Sequence, residues 1–150
     1  MKRNFLPISI DISERKILVI GGGQSALKKI LILQRSGAII EVVAENIISE
    51  IMTSGVKCFR KCYEKGDIKG YLMLYSCTNN VELDQQIARD GREAGILVNI
   101  HDNPALCQFV SPAIYQVGNI RVAVSSNAEN VQEAIRLRNE IQGYLENQKK

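Results

Sequence analysis

Apolar and polar positions alternate along this chain in two kinds of block. Lys16 to Ile20 is a short β-branched run that stops at three glycines, Gly21, Gly22 and Gly23, which is the pattern of a buried strand meeting a tight turn. From Ser25 to Ser36 the apolar residues Ala26, Leu27, Ile30, Leu31 and Leu33 recur at helical spacing, and Gly37 is placed to end that helix. Ile39 to Ala44 is apolar and β-branched again, so strand, helix and strand follow each other without a linker.

The same grammar then repeats with less contrast. It predicts a short helix over 47–53, a strand over 57–63, a polar link over 64–70, a strand over 71–77, a helix over 81–94 and a buried strand over 96–99. Strands that alternate with helices imply an α/β fold with a parallel sheet covered on both faces. The expected strand order is 3-2-1-4-5, with right-handed crossovers and a ligand crevice at the C-terminal ends of the first and fourth strands. Beyond Pro104 the pattern changes: segments 109–116 and 120–124 flank Gly118-Asn119 with no helix between them, as in an antiparallel hairpin. A last amphipathic helix is expected over 130–147, with Val131, Ala134, Ile135, Leu137, Ile141 and Leu145 on or near one face. We therefore expect a first domain over 1–108, and a hairpin and helix over 109–150 whose apolar surface suits a homodimer.

Gly21-x-Gly23-x-x-Ala26 matches the dinucleotide fingerprint G-x-G-x-x-G/A, and it stands where that motif works, after a strand and at the start of a helix. This predicts a Rossmann-type sheet. Gly21 allows the tight turn, Gly23 lets the backbone approach a pyrophosphate and Ala26 lets the helix pack closely, while free N–H groups and the helix dipole favour the anion. An acidic residue at the end of the next strand, Glu45, is placed to accept hydrogen bonds from an adenosine ribose. No Arg or Lys follows it until Lys57, so the expected cofactor is NAD rather than its 2′-phosphorylated form. The loop Asn99 to Pro104 opens at the same edge of the sheet. Asp102 there is a candidate proton acceptor, and His101, the only histidine, a candidate acid, base or metal ligand, although Asp-Asn-Pro is also ordinary turn chemistry.

Composition narrows the function classes. The chain has 150 residues, 45% hydrophobic and 23% charged, which excludes global disorder and fibrous repeats. Nineteen Lys and Arg against sixteen Asp and Glu leave +3, too mild an excess to call for nucleic acid. The apolar runs are too short to span a membrane and the N-terminus lacks a signal-peptide core, so the expected location is cytoplasmic. Cys58, Cys62, Cys77 and Cys107 form no C-x-x-C pair and stand mostly among apolar neighbours, so reduced, buried thiols and no metal site are expected.

Taken in order, Leu6-Pro7-Ile8, Val19 to Gly23, Ala26 to Lys29, Gly37-Ala38, Val42 to Ala44, Ser76 to Asn79, Val98-Asn99, Asp102 to Pro104, Phe109, Ser111 to Ile114 and Val122 to Ser126 resemble the precorrin-2 dehydrogenase family, the dehydrogenase and ferrochelatase portion of sirohaem synthase. The resemblance covers nearly the whole chain. It implies NAD-dependent oxidation of precorrin-2 to sirohydrochlorin, with Asp102 matching the family's catalytic aspartate. It also implies cofactor contacts at Gln24, Ser25, Glu45, Asn46, Cys77 and Thr78 and a homodimer that shelters the tetrapyrrole, and we take His101 and Ser126 as candidate substrate contacts. The chain departs from the family after Ser126: Asn127-Ala128-Glu129-Asn130-Val131 stands where Gly-Gly-x-Ser-Pro is usual. The competing class is a non-catalytic dinucleotide-sensing module, which needs the glycine turn but not Asp102.

Overall fold

Ile17, Leu18, Val19 and Ile20 are all at most 2% exposed, a state that a strand reaches only when both faces of its sheet are covered. The computed structural model describes residues 2–149 and shows why. Strand β1 (Lys16–Ile20) lies at the centre of a five-stranded sheet between β2 (Ile39–Ala44) and β4 (Met73–Ser76). Strands β3 (Lys57–Arg60) and β5 (Leu97–Ile100) form the edges, giving the order β3-β2-β1-β4-β5 with every pairing parallel. This is the expected order, and it places the reversal between β1 and β4.

Side chains alternate across each strand and so divide the core in two. On one face Ile17, Val19, Ile40, Val42, Met73 and Tyr75 pack with Ala26, Ile30 and Leu33 of helix α1 (Gln24–Arg35) and Ile51 of the one-turn helix α2 (Ser49–Met52). On the other, Leu74 and Val98 receive helix α3 (Val81–Glu93), where a Cβ at Gly91 would meet Val98 at 2.3 Å; only glycine lets the helix come this close. The polar link after β3 contains a short 3-10 turn, Lys65–Ile68, whose Ile68 is buried.

The chain divides into two compact units, Ser9–Phe109 and a second made of residues 2–8 with 110–149. In the second unit β6 (Ala113–Val117) and β7 (Ile120–Val124) form the antiparallel hairpin, and α4 (Val131–Asn147) packs on it. Segment 109–116 was expected to be strand throughout, but β6 starts only at Ala113, because Pro112 has no N–H to pair. Phe109 instead turns its ring to Tyr75 in the sheet unit, at 5.3 Å and 83°. Of the expected apolar face of α4 only Ala134 is buried; Val131 remains 60% exposed. The expectation of buried thiols holds for Cys77 and Cys107, whereas Cys58 is half-buried and Cys62 exposed, because β3 ends at Arg60 and leaves Cys62 beyond the sheet. Among the described residues no helix is long and apolar enough to cross a membrane.

Candidate functional site

The chain leaves β1 through Gly21, whose N–H donates to the Val43 carbonyl at 3.0 Å and whose φ is 127°. A Cβ there would stand 2.3 Å from the Cys77 carbonyl oxygen, so the turn is closed to any other residue. Gly22 is just as constrained: its carbonyl accepts the Ile48 N–H at 2.9 Å, and a Cβ would lie 2.0 Å from the Asn46 carbonyl. Gly23 differs, since a Cβ on it meets nothing within 4 Å. Its backbone faces open space as the N-cap of α1, and no side chain caps the first turn. The leading N–H groups of α1 are therefore left for a ligand, in the field of the helix dipole. Ala26 is fully buried, which is the close helix packing expected of it.

Around this turn opens a crevice of about 670 Å³. Gly21 and Gly23 line it together with Glu45 and Asn46 from the end of β2, and Cys77 and Thr78 from the end of β4. Six of the expected cofactor residues are thus brought to one place. Gln24 and Ser25 are not in its lining, although Ser25 Oγ is inaccessible to water and has no hydrogen-bond partner among the described residues. Burial pushes the Cys77 thiol up to about 11, against the pull of Lys29, so it is a neutral wall and no nucleophile. Lys29 is half-buried, with its proton affinity lowered by desolvation and its Nζ 4.8 Å from the centre of the Tyr75 ring.

The far wall holds residues that the sequence reading missed. Arg60, Lys61 and Cys62 line the crevice too, because β3 runs beside β2 with Arg60 in register with Ala44. The expectation that no cation stands near Glu45 is corrected by this pairing: fifteen positions along the chain became one step across the sheet. Lys61 is engaged elsewhere, its Nζ 2.8 Å from Asp67 and 3.5 Å from Glu64, while Arg60 has no ion pair among the described residues. The neighbouring Glu45 carboxylate raises the pKa of the exposed Cys62 thiol.

His101 and Asp102 follow β5 but stand outside the crevice lining. His101 N–H donates to the Ser76 carbonyl at 2.9 Å, and its Nε2 lies 3.3 Å from Asp102 Oδ2. The Asp102 side chain is 88% exposed, on a left-handed backbone with φ 56°. Ser126 belongs to the other compact unit, where its Oγ accepts the Asn130 N–H at 3.0 Å ahead of α4.

Residues 8–113 match the family model described as "Putative NAD(P)-binding". The siroheme synthase of Azotobacter vinelandii is 33% identical over 130 residues, covering 84% of this chain and 28% of that protein. The siroheme synthase of Ectopseudomonas mendocina is 37% identical over 129 residues, with 83% and 28% covered. The chain thus spans little more than a quarter of the length of these relatives. Among solved structures, SirC, precorrin-2 dehydrogenase, superposes with a TM-score of 0.75 at 22% identity, covering 93% of this chain and 70% of that one, which establishes a shared fold.

Proposed function

The chain belongs to the NAD(P)-binding family whose model covers residues 8–113, and from that premise we propose that it oxidises precorrin-2 to sirohydrochlorin with NAD as the hydride acceptor. One observation carries the reading: Gly23, the N-cap of a helix with no side-chain cap, and Glu45, a carboxylate at the end of the next strand, line a single crevice. A pyrophosphate and a ribose ask for this pair of features. The siroheme synthase relatives and the name of the SirC structure supply the substrate class.

The residues fit such a cofactor. Open space at Gly23 admits the pyrophosphate to the backbone, the first N–H groups of α1 bind its oxygens, and Glu45 accepts from the adenosine ribose. When bound, NAD supplies a two-electron acceptor for hydride. Oxidation of the macrocycle releases a proton as well, and we assign its uptake to Asp102, with His101 3.3 Å away to orient the carboxylate. Gln24, Ser25, Asn46, Cys77 and Thr78 complete the proposed cofactor contacts, and His101 and Ser126 the substrate contacts. The proposed working form is a cytoplasmic homodimer joined through the hairpin and α4, whose Val131 and Tyr144 are 60% and 65% exposed.

The test is an absorbance assay with precorrin-2 and NAD, in which sirohydrochlorin and NADH rise together. The exposure of Asp102 outside the crevice lining favours a second reading, a non-catalytic dinucleotide sensor. Saturable NAD binding with no turnover of precorrin-2 decides for the sensor.

A further inference from the structure

The first turn of α3 contains a buried carboxylate that the proposed function does not use. Asp84 is 9% exposed, and its Oδ1 takes two hydroxyl hydrogens, from the fully buried Ser76 at 2.6 Å and from Thr78 at 2.7 Å. No cation pairs with it among the described residues. A carboxylate removed from water without a counter-charge is costly, and hydroxyl donors are what hold it there.

The consequence falls on Thr78, which lines the crevice. A threonine hydroxyl has one hydrogen and two lone pairs. The hydrogen goes to Asp84, since the competing acceptor, the Asn80 carbonyl, is at 3.3 Å. One lone pair receives the Asn80 N–H at 3.1 Å. One lone pair remains.

We propose that Asp84 is a positioning residue that turns the Thr78 hydroxyl into a pure acceptor, so that the subsite beside Thr78 takes a hydrogen-bond donor, a ribose hydroxyl of the dinucleotide, and turns a phosphate away. The proposal rests on the dinucleotide reading and adds a polarity to it. Phosphate oxygens only accept, and here they would face a lone pair backed by a buried charge. The glycine turn of the same crevice offers the opposite polarity, backbone donors at a helix N-terminus.

Calorimetric titration of the full chain with NAD tests this. Asp84→Asn removes the charge behind the Thr78 lone pair and leaves only a neutral amide oxygen to hold two hydroxyl hydrogens, which weakens the hold on the Thr78 proton. The expected loss is about 3- to 10-fold in NAD affinity, the size of one ordinary hydrogen bond. Thr78→Val loses a similar factor, Thr78→Ser keeps the affinity, and Asp84→Asn with Thr78→Val together is no weaker than either alone. In turnover the loss appears in the KM for NAD with kcat little changed. An Asp84→Asn protein that melts earlier but binds NAD normally overturns the proposal, as do additive losses. If Asp84→Asn does not fold, Thr78→Val decides: normal NAD affinity in that variant also overturns it. Absence of saturable NAD binding by the unaltered chain is a different result, because it removes the dinucleotide reading itself.

Discussion

The Asn127 side chain grips the backbone at Phe5: its Oδ1 accepts the Phe5 N–H at 2.6 Å, while its Nδ2 donates to the Arg3 carbonyl at 2.8 Å. Asn127 and its neighbour Ala128 both have left-handed backbones, with φ of 59° and 61°. These are two of the positions at which the chain departs from the glycines usual in the family it resembles. Asparagine accepts this conformation readily, but alanine is strained by its Cβ. Ala128→Gly is therefore expected to stabilise by about 0.5–1 kcal/mol, the strain relieved less the chain entropy lost. Asn127→Gly has the opposite sign, because it drops two hydrogen bonds, a loss of about 1–2 kcal/mol. Chemical denaturation measures both, and equal signs would refute the assignment.

The glycine turn yields a second pair of outcomes. Gly22→Ala drives a Cβ to 2.0 Å from a backbone carbonyl and must shift the loop after β2, so it is expected to lower the melting temperature sharply. Gly23→Ala places its methyl in open space and is expected to fold normally. The same methyl stands where a ligand must approach, so NAD affinity falls while stability does not. Normal NAD binding by Gly23→Ala would remove that backbone from the site.

Sequence pattern revealed the parallel sheet because its central strands β1 and β4 are buried on both faces and β1 appears as an uninterrupted apolar run after Lys16. The glycine turn was legible for a related reason, since its spacing is imposed by backbone geometry close by in the chain. Arg60 was not, because what brings it beside Glu45 is the pairing of β2 with β3, and that register leaves no local mark on the sequence. Gly22 was passed over as the filler of its motif, although its clash with Asn46 is tighter than the one at Gly21. In the sequence Asp84 is one polar residue among several in helix 81–94, and only the fold brings its carboxylate to the Thr78 hydroxyl. The attachment of residues 2–8 to the hairpin unit rests on side-chain bonds at a distant asparagine, which no periodicity records.

Cofactor choice follows from the two strand ends. In the proposed site Glu45 would repel a 2′-phosphate and receive ribose hydroxyls, so NAD is expected to bind more tightly than NADP. Arg60, exposed and without an ion pair among the described residues, tempers the discrimination. Glu45→Gln is expected to raise NADP affinity relative to NAD by roughly tenfold, and Arg60→Ala to widen the gap. Titrating both cofactors into each variant checks the assignment. An unchanged ratio in Glu45→Gln would remove Glu45 from the ribose.

Stability in acid is expected to depend on Glu41, which is 6% exposed on β2. Burial alone raises its carboxyl, but the Tyr71 hydroxyl, Lys16 at 3.1 Å and the nearby Lys57 outweigh that and hold its pKa below 4.5. A depressed carboxylate pKa contributes stability that is fully present above the unfolded value and is lost as pH falls through the folded one. Glu41→Gln should therefore be less stable than the unaltered chain at pH 7, and the difference should shrink once the pH falls below 4.5. A difference between the two denaturation curves that is the same at every pH would contradict the role of the charge.

The sharpest test of the catalytic reading is Asp102. Its backbone is left-handed, so alanine there would confuse strain with chemistry, whereas asparagine tolerates the same φ and keeps the shape of the side chain. Asp102→Asn keeps the shape but removes the negative charge and with it the capacity to take a proton. If the carboxylate accepts the proton released as hydride leaves the macrocycle, turnover of precorrin-2 falls by about 10²–10⁴-fold while NAD affinity and stability stay unchanged, because Asp102 lies outside the crevice lining. His101→Ala costs less, since the imidazole at 3.3 Å orients the carboxylate without replacing it. An inactive His101→Ala beside a fully active Asp102→Asn would exchange the two roles. Full activity in both would leave this loop as a turn after β5 and move the proton acceptor elsewhere.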